Sequence, residues 1–576
     1  MRLKHLYVAL AFVLPVGAAS ADVLSPSEQY GLGEPSLAGA FMIDAPDVGK
    51  FIEEDAKRVG GPYRYGVAVP TAGFAIAKGR ASVGSLSRLG DGRVLWRAAL
   101  AAPGAKSIDL EFSRLSLPEG AAMYFSNAKF EVVRGPITAA DLDAEPGYYS
   151  PFVPGDIAYV EIVAPRGSFQ HVELELASVT HGYRGLFETG GGLDKSGSCN
   201  VDVACPLGTG WADQIASVGH YTFRQGSSSF VCTGQLVANT RRDATPNFLT
   251  ANHCLSSSTV ASSVVVYWNY QSSTCRTPGS SASGTPLAKT IASHTQSGST
   301  LVATNAASDF TLLRLSTAVP TGANAFWSGW DRRDYTPGGA IAIHHPSGHE
   351  KRISEEVNPL SISRYSGAAG TGTTHLRVAD WDQGTTEGGS SGSGLWDRSS
   401  RLLVGQLHGG GAACGNNEPD WYGRFFTSWT GGGTTATRLS NHLDTAGSGV
   451  TQLAGYRPTT TPTGPFFQNT ADYTISDNAT VESPIAVTGV SGNAPSTLRV
   501  GVNIIHTYIG DLKVDLVAPN GTVFTLHNRS GGSADNINTT YTVNASAVAA
   551  AGTWRLRVND NAGGDTGRID AWSLQF

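Results

Sequence analysis

Phe248-Leu249-Thr250-Ala251-Asn252-His253-Cys254 is an apolar run that ends in a histidine beside a cysteine. Upstream, Phe230-Val231-Cys232-Thr233-Gly234 supplies a second strand-like run, and a disulfide from Cys232 to Cys254 would hold the histidine loop against it. Downstream, Ser308-Asp309-Phe310-Thr311-Leu312-Leu313 puts an aspartate at the mouth of an apolar strand, placed for burial against the imidazole. Farther along, Gly388-Gly389-Ser390-Ser391-Gly392-Ser393-Gly394 sets Ser391 in a tight turn between glycines, whose missing Cβ lets backbone N–H groups converge on one point. Serine hydrolysis of a peptide bond needs a nucleophile, a base, an acid that orients the base, and donors for the oxyanion. Each segment alone has a bland reading as a loop, a cap or a structural histidine. Together they supply Ser391, His253 and Asp309 in the chain order His, Asp, Ser, one of the orders in which this triad occurs. An esterase elbow is excluded by that order, because its acid and histidine should follow the serine.

Around these segments the chain has 576 residues, too many for one hydrophobic core, and the usual domain size predicts roughly three or four folding units. Arg2, Lys4 and His5, the apolar stretch Leu6 to Val16 and the small residues Ala19-Ser20-Ala21 read as a signal peptide over 1–21, with cleavage expected after Ala21. No later stretch reaches the roughly 18 apolar residues of a membrane helix, so a secreted, soluble product is expected, with no membrane partner. A net charge of −6 with 15% charged residues offers no basic stripe for nucleic acid. With 70 glycines and short alternating runs between Gly, Ser, Thr and Asn, the composition predicts a mainly β protein. All 6 cysteines lie between Cys199 and Cys414, an even number that suggests disulfides outside the cell, although the spacings do not choose among the pairings.

Residues 22–195 form a cysteine-free, β-rich region with strand-like runs at Ser107 to Phe112 and Ala122 to Phe125, read as a removable propeptide. Residues 196–455 hold the candidate triad and close with a short helical pattern from Arg438 to Leu443. Residues 456–469 contain Arg457-Pro458-Thr459-Thr460-Thr461-Pro462, an extended linker composition. In residues 470–576, Leu498, Val500, Val502 and Ile504 alternate, as do Leu512, Val514 and Leu516, then Trp554, Leu556 and Val558, then Trp572, Leu574 and Phe576. These are half-buried strands of a β-sandwich, with Asn520-Gly521 as a hairpin turn.

The middle block resembles the chymotrypsin-like peptidases, and more closely the bacterial lysyl endopeptidases. The likeness runs through Ser198-Cys199-Asn200-Val201-Asp202, Val266-Tyr267-Trp268-Asn269-Tyr270, Gly329-Trp330-Asp331-Arg332-Arg333-Asp334, Ala342-Ile343-His344-His345-Pro346 and Gly405-Gln406-Leu407-His408-Gly409-Gly410. The resemblance implies a double β-barrel with the triad between the barrels, an oxyanion hole from Gly389 and Ser391, and disulfides Cys199 to Cys414, Cys205 to Cys275 and Cys232 to Cys254. The pocket acid of trypsin-like relatives falls here on the uncharged Thr385, so the resemblance assigns the carboxylate to Asp420, with Glu387 and Glu418 as rivals. It also implies an indole stacked on an imidazole, Trp381 on His408, which would narrow the slot toward lysine over arginine. Cleavage after lysine is therefore expected; a pocket serving both Lys and Arg, and a secreted protease-like binding protein, are the alternatives.

The acid that precedes the nucleophile in trypsin-like enzymes is replaced by Ser390, so the usual ion-pair switch is absent. Lys195-Ser196 just before Cys199 is the expected processing site, one that a lysine-specific enzyme can cut in its own precursor. Gly394 stands where the family usually has proline. His344, His345, His349 and Glu350 are read as structural or surface residues, because Pro346 and Gly348 break the helix that an i, i+4 metal pair needs, and no catalytic metal is assigned. The last unit resembles the P domain of proprotein convertases through His506-Thr507-Tyr508-Ile509-Gly510-Asp511-Leu512, Ala518-Pro519-Asn520-Gly521 and Gly564-Asp565-Thr566-Gly567. No cofactor is required; Asp511, Asp560 and Asp565 are the candidate ligands of a structural calcium. The expected partners are peptide and protein substrates and the chain's own propeptide, and the expected state is a monomer.

Overall fold

The computed structural model describes residues 23–57, 61–142, 147–186, 196–285, 294–458, 465–469, 471–495 and 497–576. Ala21, Lys195 and the Pro/Thr run 459–464 lie outside the described residues. The chain divides into two compact units, Met1–Pro458 and Thr459–Phe576.

In the first unit the N-terminal region folds as predicted from its alternating runs. Ser107–Ser116 and Ala122–Asn127 are both strands. Ile108, Leu110 and Phe112 from the first pack with Met123 and Phe125 from the second in one core that also takes Trp96, Leu100, Val160 and Ile162. Two sheets flank that core, and one of them does not end with the region. Tyr63–Pro70 pairs on one side with Glu173–Gly182 (Val179 opposite Val69) and on the other with Ser228–Leu236 (Val231 opposite Tyr63), so the sheet runs on into the middle block as a 14-stranded assembly. Side chains reinforce the join: Arg224 pairs with Glu111 and Asp109 and lies over the ring of Tyr149 at 5.6 Å, while within the N-terminal region Tyr65 donates to the same Asp109 at 2.8 Å.

The middle block carries two curled antiparallel sheets, the chymotrypsin-like arrangement. In the first, Val218–Gln225 pairs with Ser228–Leu236, which pairs with Asn247–Ala251, then Phe310–Leu315 and Ser299–Asn305. In the second the order runs Val201–Asp202, Arg352–Glu356, Ala340–His344, Gly394–Asp397, Leu403–Gly410, Asp420–Arg424, His375–Val378 and Ser361–Ser363. A shared apolar layer of Leu249, Phe310, Leu312, Trp330, Ile341, Ile343, Ile353 and Trp396 welds the two. The disulfides are Cys199–Cys414, Cys205–Cys275 and Cys232–Cys254, the pairing that the family resemblance implied. The helical pattern near the end of the block is the short helix Ser440–Leu443.

The second unit is a sandwich of a five-stranded and a four-stranded sheet. Leu498, Val500, Val502 and Ile504 on one strand, and Trp554, Leu556 and Val558 on another, all point into its core, as the period-two alternation requires. Asn520-Gly521 turns the chain between Leu512–Val517 and Val523–Asn528; Gly521 takes φ +86°, which its lack of a Cβ makes inexpensive.

Candidate active site

Register places the candidate base beside its candidate acid. Ala251, the last residue of its strand, lies opposite Phe310, the first residue of the neighbouring strand, so His253 leaves the sheet where Asp309 enters it. Asp309 takes φ +53°, a left-handed conformation that aspartate tolerates better than most residues. That bend turns its carboxylate back: Oδ1 accepts the His253 backbone N–H at 2.9 Å, and Oδ2 accepts Nδ1–H of the imidazole at 2.8 Å. The Asp309 carboxylate is buried while the imidazole is partly open, so the acid fixes the tautomer and leaves Nε2 for a proton. The Cys232–Cys254 disulfide pins the loop from the next residue.

Ser391 comes from the other barrel. Its carbonyl accepts Thr233 N–H at 2.9 Å, and Thr233 Oγ1 donates to Gly389 O at 2.9 Å, so the strand carrying Cys232 holds the serine turn. Gly392 closes the fit: a Cβ there would stand 2.2 Å from Thr250 Oγ1 and 2.8 Å from Ala251 N, on the strand that ends at His253. The Ser391 hydroxyl makes no hydrogen bond among the described residues, so its bond to the imidazole is open here; catalytic hydrogen bonds commonly close only with substrate in place. Ser390 N–H donates to Glu387 O at 3.0 Å with Gly389 at φ +90°, the geometry of a type II turn. Among the described residues the Gly389 and Ser391 N–H groups donate to nothing, which leaves both for an oxyanion.

A slab of rings lies beside the base. His408 is parallel to His253, with centroids 5.4 Å apart, and its Nδ1 stands 3.7 Å from Asp309 Oδ2 and 3.0 Å from His375 Nε2. Burial pushes His408 and His375 each down to about 4, so both are neutral when the base is active. The ring stacked on the far face of His408 is Tyr365, at 3.6 Å, and here the structure corrects the expected indole. Trp381 is turned instead toward the pocket, its indole edge-on to Tyr422 and its N–H donating to Asp420 Oδ2 at 2.8 Å. Tyr365 reaches His408 because it follows Ser361–Ser363, which pairs with the strand holding His375.

Asp420 begins the strand Asp420–Arg424 and is buried. Thr386 Oγ1 also donates to its Oδ2, at 2.7 Å, while Oδ1 has no hydrogen-bond partner among the described residues. Burial pushes its carboxyl up to about 6, against the pull of the Trp381 and Thr386 donors and the nearby Ala412 N–H. Of the rival acids, Glu418 is exposed and Glu387 is engaged elsewhere, accepting from Gly197 N–H, Asn200 and Ser347.

His344, His345, His349 and Glu350 are all fully buried, so the surface part of their reading is overturned: Ala340–His344 is an interior strand. His344 bridges Ser390 Oγ at 2.8 Å and Ser354 Oγ at 3.1 Å, and burial holds it near 3 and neutral behind the nucleophile turn. This support, with Tyr365, His375 and the Glu387 contacts, escaped sequence reading; the apolar run into His344 was its one local signal. The N-terminal region reaches this turn as well, since a Cβ on Gly388 would lie 3.4 Å from the Tyr63 ring. In the sandwich, Asp511, Asp560 and Asp565 do not converge as ligands among the described residues. Asp560 Oδ2 faces His506 at 3.5 Å and Asp565 accepts from Thr507 at 2.6 Å, so these two carboxylates have separate partners.

Residues 193–423 match the family described as lysyl endopeptidase, C-terminal domain, and residues 495–576 match the proprotein convertase P-domain. The leupeptin-inactivating enzyme 1 of Streptomyces exfoliatus is 54% identical over 142 residues, 24% of this chain and 32% of that protein, so the chain spans about a third of that relative. The lysyl endopeptidase of Pseudomonas aeruginosa is 30% identical over 343 residues, 56% of this chain and 71% of that protein. Among solved structures, protease Anisep of Arthrobacter nicotinovorans is similar over 40% of this chain and 95% of its own, at 14% identity and a TM-score of 0.27. With the likeness to the Pseudomonas protein extending over most of that protein's length, the chain belongs to the lysyl endopeptidase family of serine endopeptidases.

Proposed function

We propose that the chain is a secreted endopeptidase that cuts on the carboxyl side of lysine and is made as a precursor whose residues 22–195 are removed by its own activity at Lys195. Ser391 Oγ attacks the scissile carbonyl while His253 Nε2 takes its proton, and Asp309 stabilises the imidazolium that forms. The developing oxyanion is received by the N–H groups of Gly389 and Ser391. Collapse expels the amine, protonated by His253, and leaves an acyl group on Ser391; water activated by the same base then hydrolyses it. The lysine ammonium pairs with Asp420 Oδ1. No cofactor enters these steps, and calcium is left out because Asp560 and Asp565 face separate partners, His506 and Thr507.

The observation that carries the reading is the double hold of Asp309 on His253, through the backbone at 2.9 Å and the ring at 2.8 Å. Secretion is supported by the leader composition, by three disulfides and by the lack, among the described residues, of any helix long and apolar enough to cross a membrane. Digestion of a denatured protein followed by mass spectrometry of the fragments tests specificity: new C-termini should be lysine, and arginine in preference to lysine would overturn the assignment. Fluorophosphonate labelling that is lost in Ser391→Ala tests the nucleophile, and a Ser391→Ala precursor that still matures when pure would argue against self-processing.

A further inference from the structure

Glu387 opens the nucleophile turn, yet its carboxylate is spent on donors from outside the lysine pocket. Oε1 accepts Gly197 N–H at 2.6 Å and Asn200 Nδ2–H at 2.7 Å, and Oε2 accepts Ser347 Oγ–H at 2.8 Å. Its backbone carbonyl accepts Ser390 N–H, and the next carbonyl, Gly388 O, accepts Ser347 N–H at 2.6 Å. One residue thus joins the segment just after Lys195 to the turn whose N–H groups face the reacting carbonyl.

The segment is built for that contact. A Cβ on Gly197 would stand 2.2 Å from Cys414 Sγ and 3.0 Å from Glu387 Oε1, so only glycine lets its N–H come so close. Cys199–Cys414 anchors the segment two residues later, and Ser196 N–H donates to His349 Nδ1 at 3.1 Å. The residue before the nucleophile is the neutral Ser390, held by His344, so no carboxylate waits there for a new chain end.

We propose that Glu387 is the positioning residue of the oxyanion turn: its carboxylate ties Gly197 and Asn200 to Glu387–Ser390 and so keeps the Gly389 N–H aimed at the oxyanion. The inference rests on the reading of Ser391 as nucleophile. Without the tie, Ser347 N–H on Gly388 O is the remaining hold on the central peptide among the described residues, and Ser347 itself loses its bond to Glu387, so the peptide flips more readily toward type I, which carries the Gly389 N–H away from the developing charge. The tie uses the backbone N–H of Gly197 and the side chains of Asn200 and Ser347, none of which needs a cut at Lys195, so the turn is set in the uncut chain.

The test compares wild type, Ser391→Ala, Glu387→Ala, Glu387→Gln and Ser347→Ala, each expressed as the full chain. It measures the rate of fluorophosphonate labelling, and kcat and KM on a lysine p-nitroanilide. Glu387→Ala should lower kcat and the labelling rate about 10–100-fold with KM changed by less than about threefold, the signature of lost oxyanion stabilisation. Glu387→Gln should recover most of this, because its amide oxygen accepts from Gly197 and Asn200 and its NH2 donates to Ser347 Oγ. Ser347→Ala removes one bond, keeps the fold, and should cost about threefold in kcat. Labelling of Glu387→Ala at the wild-type rate would overturn the tie. A matching rise in KM for both Glu387 variants, with kcat unchanged, would make Glu387 a pocket acid instead. Absence of labelling in wild type would sink the nucleophile reading and this inference with it.

Discussion

Trp381 donates its indole N–H to Asp420 Oδ2 at 2.8 Å and so fixes one carboxylate oxygen while Oδ1 stays without a hydrogen-bond partner among the described residues. A buried oxygen of this kind is costly unless a cation completes it, and the slim stem of lysine can carry one in. Replacing Asp420 by Asn removes the charge and keeps the shape. Breaking such a buried pair costs about 3 kcal/mol, so kcat/KM for lysine substrates should fall on the order of a hundredfold with little change for a norleucine analogue. Steady-state kinetics on the two substrates checks it, and an equal loss on both would point to a structural effect.

In the proposed lysine pocket the same carboxyl would set an acid limit on recognition. Its value is raised to about 6 by burial, and the form that pairs with lysine is the carboxylate, present above that pH and lost as pH falls through it. Any change in the shared catalytic steps falls on lysine and norleucine substrates alike, so their ratio of kcat/KM isolates Asp420. That ratio should fall as the solution is acidified from about pH 8 to about pH 5. A flat ratio would detach Asp420 from the pocket.

Asp309→Asn should leave the fold in place and abolish most turnover. An amide at that position can donate to His253 Nδ1, forcing the ring proton onto Nε2, where the imidazole can no longer accept from Ser391. Loss of the correct tautomer in a serine triad costs on the order of 10⁴ in kcat. Single-turnover acylation measures it, and near-normal acylation would remove Asp309 from the triad.

Gly392→Ala should destabilise the molecule rather than merely slow it. The added methyl would lie 2.2 Å from Thr250 Oγ1 and 2.5 Å from Thr233 O at a residue with φ +81°. Overpacking and left-handed strain together cost about 2–4 kcal/mol. Thermal unfolding should show a lowered Tm, and an unchanged Tm would contradict the close approach of the two barrels at this point.

The sequence was most legible where local chemistry repeats. Leu498, Val500 and Val502 could only be a half-buried strand, and the His253, Asp309 and Ser391 segments each carried their own turn chemistry. It was least legible where a contact joins distant segments by side-chain direction alone. Tyr365 follows an unremarkable Ser-Ile-Ser run, and its place on His408 depends on how four strands register in the second barrel. Trp381 drew the wrong partner for the same reason: proximity to the pocket was readable, the direction of its ring was not. The cluster His344, His345, His349 and Glu350 reads as partly surface because polar side chains usually are, but buried arginines and serines supply its partners, with Glu350 3.6 Å from Arg276.

Strand Tyr63–Pro70 is hydrogen-bonded on both edges, to its own region and to Ser228–Leu236. The proposed nick after Lys195 would break one covalent link and none of those rungs, so it would convert one chain into two that remain zipped together. Freeing the barrels after the proposed cut would then demand that the zipper be peeled or digested, and the lifetime of the nicked pair, not the cut itself, would set when Gly388 is relieved of its neighbour Tyr63.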